Sequence, residues 1–306
     1  MVSEDIASPF ILVVCGPTGS GKGRLARDLA RRKNGEVVSA DSRKIYKRFD
    51  IGTAKPTRKQ RREIPHHLID VCGPEEVFTA ARFVELADEA IAGIQKRGRL
   101  PVVSGGTGLY LRALLHGIAA VPPRDEELRA RLLDQESSEP GRLYRRLEQV
   151  DPAAAAQIQK GDLVRTVRAL EVYELTGSPI SSHQTSHGFK PVRYRARQIA
   201  PDWDREELYR RIDARVEQMM AAGWLEEVRI LIQDGLDRSP AFRTVGYPQL
   251  KEHLGGGLTL PETVAAIQKE HRRYARRQLN WFRAVPEMEW LPGPIDIDGL
   301  VEEFEG

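Results

Sequence analysis

The sequence has 306 residues, of which 41% are hydrophobic and 30% are charged, and its formal net charge is +3. This composition excludes an intrinsically disordered chain and is typical of a globular protein with one or two domains. So small a net charge does not indicate nucleic-acid binding by itself. The two cysteines, Cys15 and Cys72, do not form a disulfide framework, which favours a cytoplasmic protein. The apolar run near the N-terminus is too short to span a membrane, so we expect no targeting signal and no membrane partner.

A glycine-rich segment, residues 16–23, follows this first apolar run. The run Phe10–Cys15 predicts a buried strand, and apolar residues at helical spacing after the segment predict a helix. A strand, a glycine-rich loop and a helix in this order are typical of a phosphate-binding loop, in which backbone N–H groups and Lys22 hold an anion. Gly23 stands where the general motif has Ser or Thr, whose hydroxyl binds Mg²⁺. The alternative interpretation is a glycine-rich turn without a ligand.

Asp41 and Ser42 follow a second predicted strand, residues 36–40. In open parallel sheets, ligands bind at the carboxyl ends of the strands. An aspartate at this edge, beside a phosphate loop, is a candidate general base or metal ligand. The alternative is a structural carboxylate that caps a helix or a turn.

A third predicted strand, residues 100–103, leads into Gly105, Gly106 and Thr107. Consecutive glycines allow a tight turn with exposed N–H groups, and the threonine adds a hydroxyl. We therefore expect a second anion contact at this turn.

The middle of the chain lacks strand-like patterns and predicts an all-helical insertion. The predicted helices are residues 124–135, 141–150, 152–159 and 162–176. Residues 178–188 are expected to be a polar loop, and residues 192–200 a strand that returns to the sheet. The predicted domains are a core of residues 1–116 and 190–306 and a helical insertion of residues 117–189.

Basic residues cluster in two segments, residues 43–62 and a predicted helix of residues 267–285. The first segment directly follows the strand that delivers Asp41, and the helix carries a stripe of lysine and arginine beside an apolar face. Charge runs are usually solvated surface, but basic stripes in these places can also bind a polyanion such as an RNA backbone.

Seven runs in chain order resemble the tRNA dimethylallyltransferase family, also called tRNA isopentenyltransferases. They lie within residues 16–22, 41–46, 50–56, 65–70, 105–110, 168–173 and 274–282. Two of them read Gly-Pro-Thr-Gly-Ser-Gly-Lys and Tyr-Ala-Arg-Arg-Gln-Leu-Asn-Trp-Phe. The resemblance implies an α/β fold with a P-loop NTPase-like parallel sheet, helices on both faces and an inserted helical domain.

The resemblance also implies a reaction. The family transfers a dimethylallyl group from dimethylallyl diphosphate to N6 of adenosine 37 in the anticodon stem-loop of tRNA and releases diphosphate. The implied catalytic residues are Asp41 as general base, Thr107 and Lys22. The implied cofactor is Mg²⁺, and because Gly23 lacks a hydroxyl, Ser20 and Thr18 are the candidate metal ligands. A monomer suffices for this reaction.

The resemblance implies two sets of binding residues, matched by position. The diphosphate-binding residues are Gly16, Pro17, Thr18, Gly19, Ser20, Gly21, Lys22, Gly23 and Arg211. The tRNA-binding residues are Asp41, Ser42, Arg43, Lys44, Thr107, Arg129, Val164, Arg165, Thr166, Val167, Arg168, Arg243, Thr244, Val245, Gly246, Tyr247 and Pro248. Lys44 stands where many family members have Gln.

Three other functions remain open on the sequence alone. The same loop and fold serve small-molecule kinases, although Gly23 and the basic helical insertion count against that function. An adenylate dimethylallyltransferase has the same chemistry on a free nucleotide but does not need the insertion. A catalytically silent RNA-binding relative is the third alternative, and Gly23 is its only motive.

Overall fold

The computed structural model describes residues 9–188 and 192–303. The chain divides into two compact units: Met1–Leu115 with Arg193–Gly306, here called the sheet unit, and His116–Val192, here called the helical unit. The predicted domain boundaries follow residues 116 and 189, and the second of these lies outside the described residues. None of the helices in the described ranges combines the length and the apolar character that a bilayer crossing requires.

The sheet unit contains a parallel sheet with the strand order β3-β2-β4-β1-β5-β6. The strands are β1 (Phe10–Cys15), β2 (Gly35–Ser39), β3 (His66–His67), β4 (Leu100–Gly105), β5 (Arg195–Asp202) and β6 (Met288–Pro292). Because all neighbouring strands are parallel, their carboxyl ends meet at one edge of the sheet. The predicted fold class is confirmed.

The described residues also form a series of α-helices. They are α1 (Lys22–Arg32), α2 (Arg58–Glu63), α3 (Ala80–Lys96), α4 (Gly108–His116), α5 (Glu126–Ser138), α6 (Arg142–Val150), α7 (Pro152–Gln157), α8 (Leu163–Thr176), α9 (Ile180–His187), α10 (Arg205–Ala221), α11 (Trp224–Gln233), α12 (Tyr247–Leu254), α13 (Leu260–Arg283) and α14 (Ile297–Glu303). Thr79 caps α3 by accepting the N–H of Arg82, and Thr259 forms a capping box with Glu262 at the start of α13.

The central strand β1 is buried on both faces, because its residues alternate between two apolar clusters. Ile11 and Val13 pack with α3 and α4, whereas Leu12 and Val14 pack with α1 and α14. Such an unbroken apolar strand is expected in a parallel sheet that has helices on both sides. The helices on the two faces hold β1 in place and therefore fix the position of the loop that follows it.

A third apolar cluster joins the segment after β2 to the helices α10 to α13. Trp224 lies at its centre, and a Cβ atom added to Gly52 or Gly246 would collide with its indole. Glu227 accepts the backbone N–H groups of Asp50 and Ile51 at 2.9 and 2.8 Å. The cluster therefore fixes the segment that follows Asp41.

The helical unit contains α5 to α9 around its own apolar cluster. Leu132, Leu143, Leu147 and Leu170 are at most 1% exposed and form its centre. Glu171 is also buried, and its carboxylate accepts the N–H of Asp125 at 2.8 Å.

One expectation about this part of the chain is wrong, and one needs a shift of its bounds. Residues 178–188 contain the helix α9 instead of a loop. This helix lacks an apolar face, but Asp151 accepts the N–H and the hydroxyl of Ser181 and so holds its first turn. The strand predicted for residues 192–200 is shifted to β5, which continues through Pro201.

The C-terminal part of the sequence was read incompletely. The helix predicted for residues 267–285 begins earlier, at Leu260, because a capping box and a proline in the first turn start it there. The helices α11 and α12 and the strand β6 were not predicted. Short runs such as β6 carry too little periodicity to be recognised without the neighbouring strand.

Candidate active site

The glycine-rich loop connects β1 to α1 at the carboxyl edge of the sheet. Gly16, Gly19 and Gly21 have φ angles of 132°, 82° and 88°, which L side chains rarely adopt. A Cβ atom on Gly19 would also lie 2.5 Å from Cγ1 of Ile212. Lys22 begins α1, and its ammonium donates a hydrogen bond to the Pro17 carbonyl at 3.0 Å. The loop thus has the strand, turn and helix N-terminus that anion binding requires.

Gln278 of α13 ties this loop to the turn after β4. Its amide oxygen accepts the N–H of Thr18 at 2.8 Å, and its amide nitrogen donates to the Gly106 carbonyl at 2.7 Å. Gly105 lies so close to the Ala40 carbonyl that any Cβ atom there would collide with it. The three strand ends are therefore held together at the edge of the sheet.

Asp41 lies half-buried at the end of β2. Its Oδ1 accepts the N–H groups of Arg43 and Lys44 at 2.9 and 3.3 Å, whereas Oδ2 accepts no hydrogen bond within the described residues. Burial alone would raise the pKa of this carboxyl, but Lys44, the N–H of Arg43 and the charge of Lys22 together hold it below its usual value. Asp41 is therefore ionised at neutral pH, with one oxygen available to a ligand.

Thr107 supports this arrangement from the turn after β4. Its hydroxyl oxygen accepts the N–H of Ser42 at 3.0 Å, and the hydroxyl groups of Thr107 and Ser42 lie 3.3 Å apart. The contact joins the segment after β2 to the turn after β4. The predicted side-chain cluster of Asp41, Ser42 and Thr107 thus lies together in space.

The loop and Asp41 line a cavity of about 510 Å³. Among the described residues that line it, Asp41 is the one carboxylate, and the cations are Lys22, Arg24, Arg27, Arg43, Lys44, Arg215, Arg243 and Arg277. Burial lowers the pKa of Lys22 to about 7, and repulsion from Arg215 and Lys44 adds to this effect. Such a concentration of buried positive charge requires an anionic ligand to compensate it.

Two arginines of α10 contact the phosphate loop from outside the sheet. Arg215 donates to the Thr18 hydroxyl at 3.2 Å and lines the cavity. Arg211 donates to the Gly19 carbonyl at 3.1 Å, and its guanidinium lies 4.1 Å from the ring centroid of Trp203. Arg215 lines the cavity, whereas Arg211 is not among its lining residues. A diphosphate contact by Arg211 therefore stays a prediction.

Several residues of the cavity wall were not singled out as site residues from the sequence. His271, Tyr274 and Gln278 lie on one face of α13, three and four positions apart. Nε2 of His271 is buried and has no hydrogen-bond partner within the described part of the chain. Burial, and secondly the charge of Arg215, lower the pKa of this histidine to about 4. The helical spacing was a usable signal, but the apolar and basic residues of the same helix obscured it.

The tRNA-binding residues predicted in the sheet unit differ in where they lie. Most of them line the cavity, namely Asp41, Ser42, Arg43, Lys44, Arg243, Thr244 and Val245. Gly246 and Tyr247 are buried behind the cavity wall, where the Tyr247 hydroxyl donates to Glu227 at 2.7 Å. Pro248 is exposed.

The residues predicted to bind tRNA in the helical unit are divided by burial. Val164 and Arg165 are exposed, whereas Thr166 and Val167 are only 1% exposed. Arg129 and Arg168 share Glu171 as a partner and donate to its carboxylate at 3.3 and 2.6 Å. Because Thr166 and Val167 are buried, they shape the helix and do not reach a ligand at the surface. RNA binding by the exposed Val164 and Arg165 stays a prediction.

The basic stripe on α13 is only partly available to a ligand. Three of its arginines form ion pairs: Arg272 with Asp213 at 2.5 Å, Arg273 with Glu270 at 2.6 Å and Arg283 with Asp202 at 2.5 Å. Lys269 and Arg276 are exposed, and neither has an ion pair within residues 9–188 and 192–303. Arg277 turns toward the cavity.

The described residues include no group of three or more histidine, cysteine, aspartate or glutamate side chains that could hold a metal ion. Thr18 and Ser20, the candidate magnesium ligands, already accept hydrogen bonds from Arg215 and from the N–H of Lys22. Asp41 Oδ2 remains as an oxygen donor. This set fits a magnesium ion that takes most of its ligands from a phosphate and from water.

The six-stranded parallel sheet, its flanking helices and the loop after β1 define a P-loop-like α/β protein. The model of the IPP transferase family matches residues 44–285, which is most of the chain. The chain belongs to this family.

Curated relatives match over almost the full length. A tRNA dimethylallyltransferase 1 from Pelobacter propionicus is 50% identical and covers 94% of both chains. A tRNA dimethylallyltransferase from an Anaeromyxobacter species is 50% identical and covers 96% of this chain and 98% of its own.

Solved structures are similar as well. A tRNA isopentenylpyrophosphate transferase from Staphylococcus epidermidis has a TM-score of 0.70 at 33% identity and covers 97% of this chain and 98% of its own. A eukaryotic dimethylallyltransferase acting on tRNA has a TM-score of 0.80 at 27% identity, with 93% of this chain and 74% of its own covered.

Proposed function

We propose that this chain transfers a dimethylallyl group from dimethylallyl diphosphate to N6 of adenosine 37 in tRNA and releases diphosphate. Its relatives described above are tRNA dimethylallyltransferases, which supports the reaction class. The observation that carries the proposal is the free Oδ2 of Asp41 in the same cavity as the phosphate loop. A general base and an anion site within one cavity are what this group transfer needs.

The phosphate loop stabilises the leaving group. The bond between the allylic carbon and the diphosphate oxygen breaks, and its electron pair goes to the oxygen. Lys22, the N–H groups at the start of α1 and Arg215 face the site where this negative charge grows. Donors that are fixed before the reaction stabilise such a charge without reorganising. The loop thus holds a prenyl diphosphate in place of a nucleotide.

Asp41 acts on the acceptor nitrogen. The N6 lone pair forms the new bond to carbon, and the N6 proton passes to Asp41 Oδ2, so that charge and atoms balance. Because the lone pair of N6 is conjugated with the adenine ring, proton removal in the transition state strengthens a weak nucleophile. The N–H groups of Arg43 and Lys44 on Oδ1 hold the carboxylate in position, and Thr107 fixes the segment behind it.

Magnesium is the proposed cofactor. Bound to the diphosphate, it would neutralise part of the charge of the leaving group, and water would supply its remaining ligands, so that Oδ2 of Asp41 stays available to the N6 proton. Thr18 and Ser20 are less suited, since both already accept hydrogen bonds from the protein.

The proposed RNA substrate is the anticodon stem-loop. To bring N6 to Asp41, adenosine 37 must leave the stacked anticodon loop and enter the cavity. The basic wall formed by Arg43, Lys44, Arg243 and Arg277 supplies contacts for the RNA backbone. The proposal needs no second subunit, since the phosphate loop and Asp41 line the same cavity, and a monomer in the cytoplasm, where tRNA is found, is the proposed form of the protein.

The reaction is tested with purified protein, dimethylallyl diphosphate and Mg²⁺. One sample contains a stem-loop with adenosine 37, a second contains a stem-loop with guanosine at that position, and a third contains AMP. Mass spectrometry is expected to detect one added dimethylallyl group in the first sample alone.

Each other outcome points to a different function. Modification of AMP without modification of RNA would show an adenylate dimethylallyltransferase. In a fourth sample, which contains ATP and a metabolite in place of dimethylallyl diphosphate and RNA, phosphoryl transfer to the metabolite would show a kinase. RNA binding without any transfer would show a silent RNA-binding protein.

A further inference from the structure

Gly23 has no structural reason to be glycine. It is the second residue of α1, and its φ angle lies outside the positive range that favours glycine. A Cβ atom added there would have Nη1 of Arg27 as its nearest neighbour, at 3.9 Å, which is an ordinary contact. The backbone therefore accepts a serine or threonine at this position, and their absence requires another explanation.

Arg27 lies one turn further along α1, on the face that Gly23 leaves uncovered. Its side chain is half-buried and lines the cavity. It forms no hydrogen bond or ion pair within the described residues. Asp28, a carboxylate whose charge acts on Arg27, already pairs with Arg24 and Arg31.

Other cations of the cavity are within electrostatic reach of Arg27. Burial lowers the pKa of Lys44, Asp41 opposes this shift, and repulsion from Arg215 and Arg27 adds to it. Burial likewise lowers the pKa of Arg27 itself, although the charge of Asp28 opposes this shift. A half-buried guanidinium without a partner, placed among like charges, is unfavourable unless an anion binds it.

We propose that Arg27 binds the diphosphate directly and substitutes for the metal-binding hydroxyl that the general phosphate-loop motif has at the position of Gly23. This inference rests on the proposed function, because it assigns a diphosphate to the phosphate loop. An arginine fork matches phosphate oxygens with two hydrogen bonds and needs no metal to do so. The protein is therefore expected to bind dimethylallyl diphosphate in the absence of magnesium as well as in its presence.

The test measures the binding of dimethylallyl diphosphate by titration calorimetry, in buffer with EDTA and in buffer with Mg²⁺. The unsubstituted protein is expected to bind in both buffers. Arg27→Met keeps most of the aliphatic stem but removes the charge, and it is expected to weaken binding in EDTA by about 10- to 100-fold. In Mg²⁺ the loss should be smaller, because the metal then bears part of the phosphate charge.

Arg31→Met is the matched control. Arg31 lies one turn beyond Arg27 on the same helix, pairs with Asp28 and does not line the cavity. Its substitution removes the same charge from α1 and is expected to leave diphosphate binding unchanged. Thermal unfolding of all variants checks that each is folded.

A second substitution examines the exchange of functions between the two positions. Gly23→Ser in the Arg27→Met background is expected to restore binding in Mg²⁺ but not in EDTA, since the new hydroxyl acts through the metal. Arg27→Met that binds like the unsubstituted protein in EDTA would overturn the inference. So would an unsubstituted protein that binds only in Mg²⁺, although the proposed function would then stand. Absence of binding in both buffers would instead overturn the proposed function.

Discussion

Two carboxylates of this molecule are surrounded by basic residues, but they differ in how their charges are paired. In the helical unit Glu171 is fully buried and accepts hydrogen bonds from Arg129, Arg168 and the N–H of Asp125. Arg168 also donates to the Pro122 carbonyl at 2.7 Å. In the sheet unit Oδ2 of Asp41 has no hydrogen-bond partner among the residues that the structure describes.

The cations around the two carboxylates differ in the same way. Around Glu171 the arginines and the carboxylate compensate one another, so the cluster needs no ligand and stabilises the fold. Around Asp41 one carboxylate faces many cations, and burial holds the pKa of Lys22 near 7. Similar residue types therefore serve structure in one unit and ligand binding in the other, and the free hydrogen-bonding capacity distinguishes them.

Removing the carboxylate charge of Asp41 is expected to have the largest effect. Asp41→Asn keeps the shape of the side chain and its contacts with the N–H groups but cannot accept the N6 proton. We expect the rate of transfer to fall about 10²- to 10⁴-fold, as is usual when a general base is lost. Binding of dimethylallyl diphosphate should be kept or become tighter, because a negative charge leaves the cavity. Single-turnover rates and calorimetry measure the two effects separately.

Asp134→Asn is the control for this substitution, since Asp134 is an exposed carboxylate of α5. Its transfer rate should equal that of the unsubstituted protein. A rate for Asp41→Asn within about threefold of the unsubstituted rate would exclude Asp41 as the base.

The corresponding change in the helical unit should affect stability. Glu171→Ala leaves Arg129 and Arg168 without their buried partner. The free energy of unfolding is expected to fall by about 3 kcal/mol, the lower end of the range for a broken buried ion pair, because both arginines retain some contact with water. Urea unfolding followed by circular dichroism measures this loss.

Glu174→Ala on the same helix provides the comparison. Glu174 pairs with Arg146 at the surface, and both side chains are about one-third exposed, at 27% and 33%. Its loss should cost less than about 1 kcal/mol. Equal effects of the two substitutions would show that the Glu171 cluster contributes no more than a surface ion pair.

The sequence allowed the chemistry-bearing segments to be predicted where the signal is local. The strand β1, the glycine-rich turn after it and the buried face of α1 all follow from consecutive residues, and all three are confirmed, whereas phosphate binding by the turn stays a prediction. Asp41 was recognised because it directly follows an apolar run. These features need no knowledge of the rest of the chain.

Contacts between distant positions were not predictable in this way. Thr18 and Gln278 are 260 positions apart, and only the folded sheet unit brings them together. The helix α9 was missed because its first turn is held by Asp151, which lies between α6 and α7, and not by its own pattern. His271 and Arg27 are candidate site residues because they line the cavity and, within the described residues, Nε2 of His271 and the guanidinium of Arg27 have no hydrogen-bond partner. Only the folded structure shows this.

The link between the two loops predicts a moderate effect. Gln278→Leu keeps the approximate volume but leaves the Thr18 N–H and the Gly106 carbonyl without their partner. We expect KM for dimethylallyl diphosphate to rise about tenfold, since the phosphate loop loses a fixed contact of about 1 to 3 kcal/mol. Steady-state kinetics measure this change. Gln233→Ala, at the exposed end of α11, should leave KM unchanged, and an unchanged KM in Gln278→Leu would show that the link does not position the loop.

The smallest expected effect is a proton count. Burial and the charges of Arg215 and Lys44 lower the pKa of Lys22 to about 7, so the free protein at pH 8 carries this lysine mainly as the neutral amine. A bound diphosphate favours the charged form and raises the pKa again. Binding at pH 8 should therefore take up roughly one proton, and at pH 6, where Lys22 is already protonated, this uptake should vanish.

Titration calorimetry in buffers with different ionisation enthalpies measures the uptake. Lys22→Arg, which stays protonated at both pH values, is expected to reduce it sharply, whereas Lys33→Arg, beyond the end of α1, should not change it. Equal uptake in the Lys22→Arg protein and the unsubstituted protein would assign the proton to another group of the cavity, of which Lys44 is the next candidate because its pKa is also lowered by burial. Either result measures how strongly the protonation of the cations around Asp41 depends on a bound anion. Arg129 and Arg168 do not depend on a ligand in this way, because the carboxylate of Glu171 is their partner.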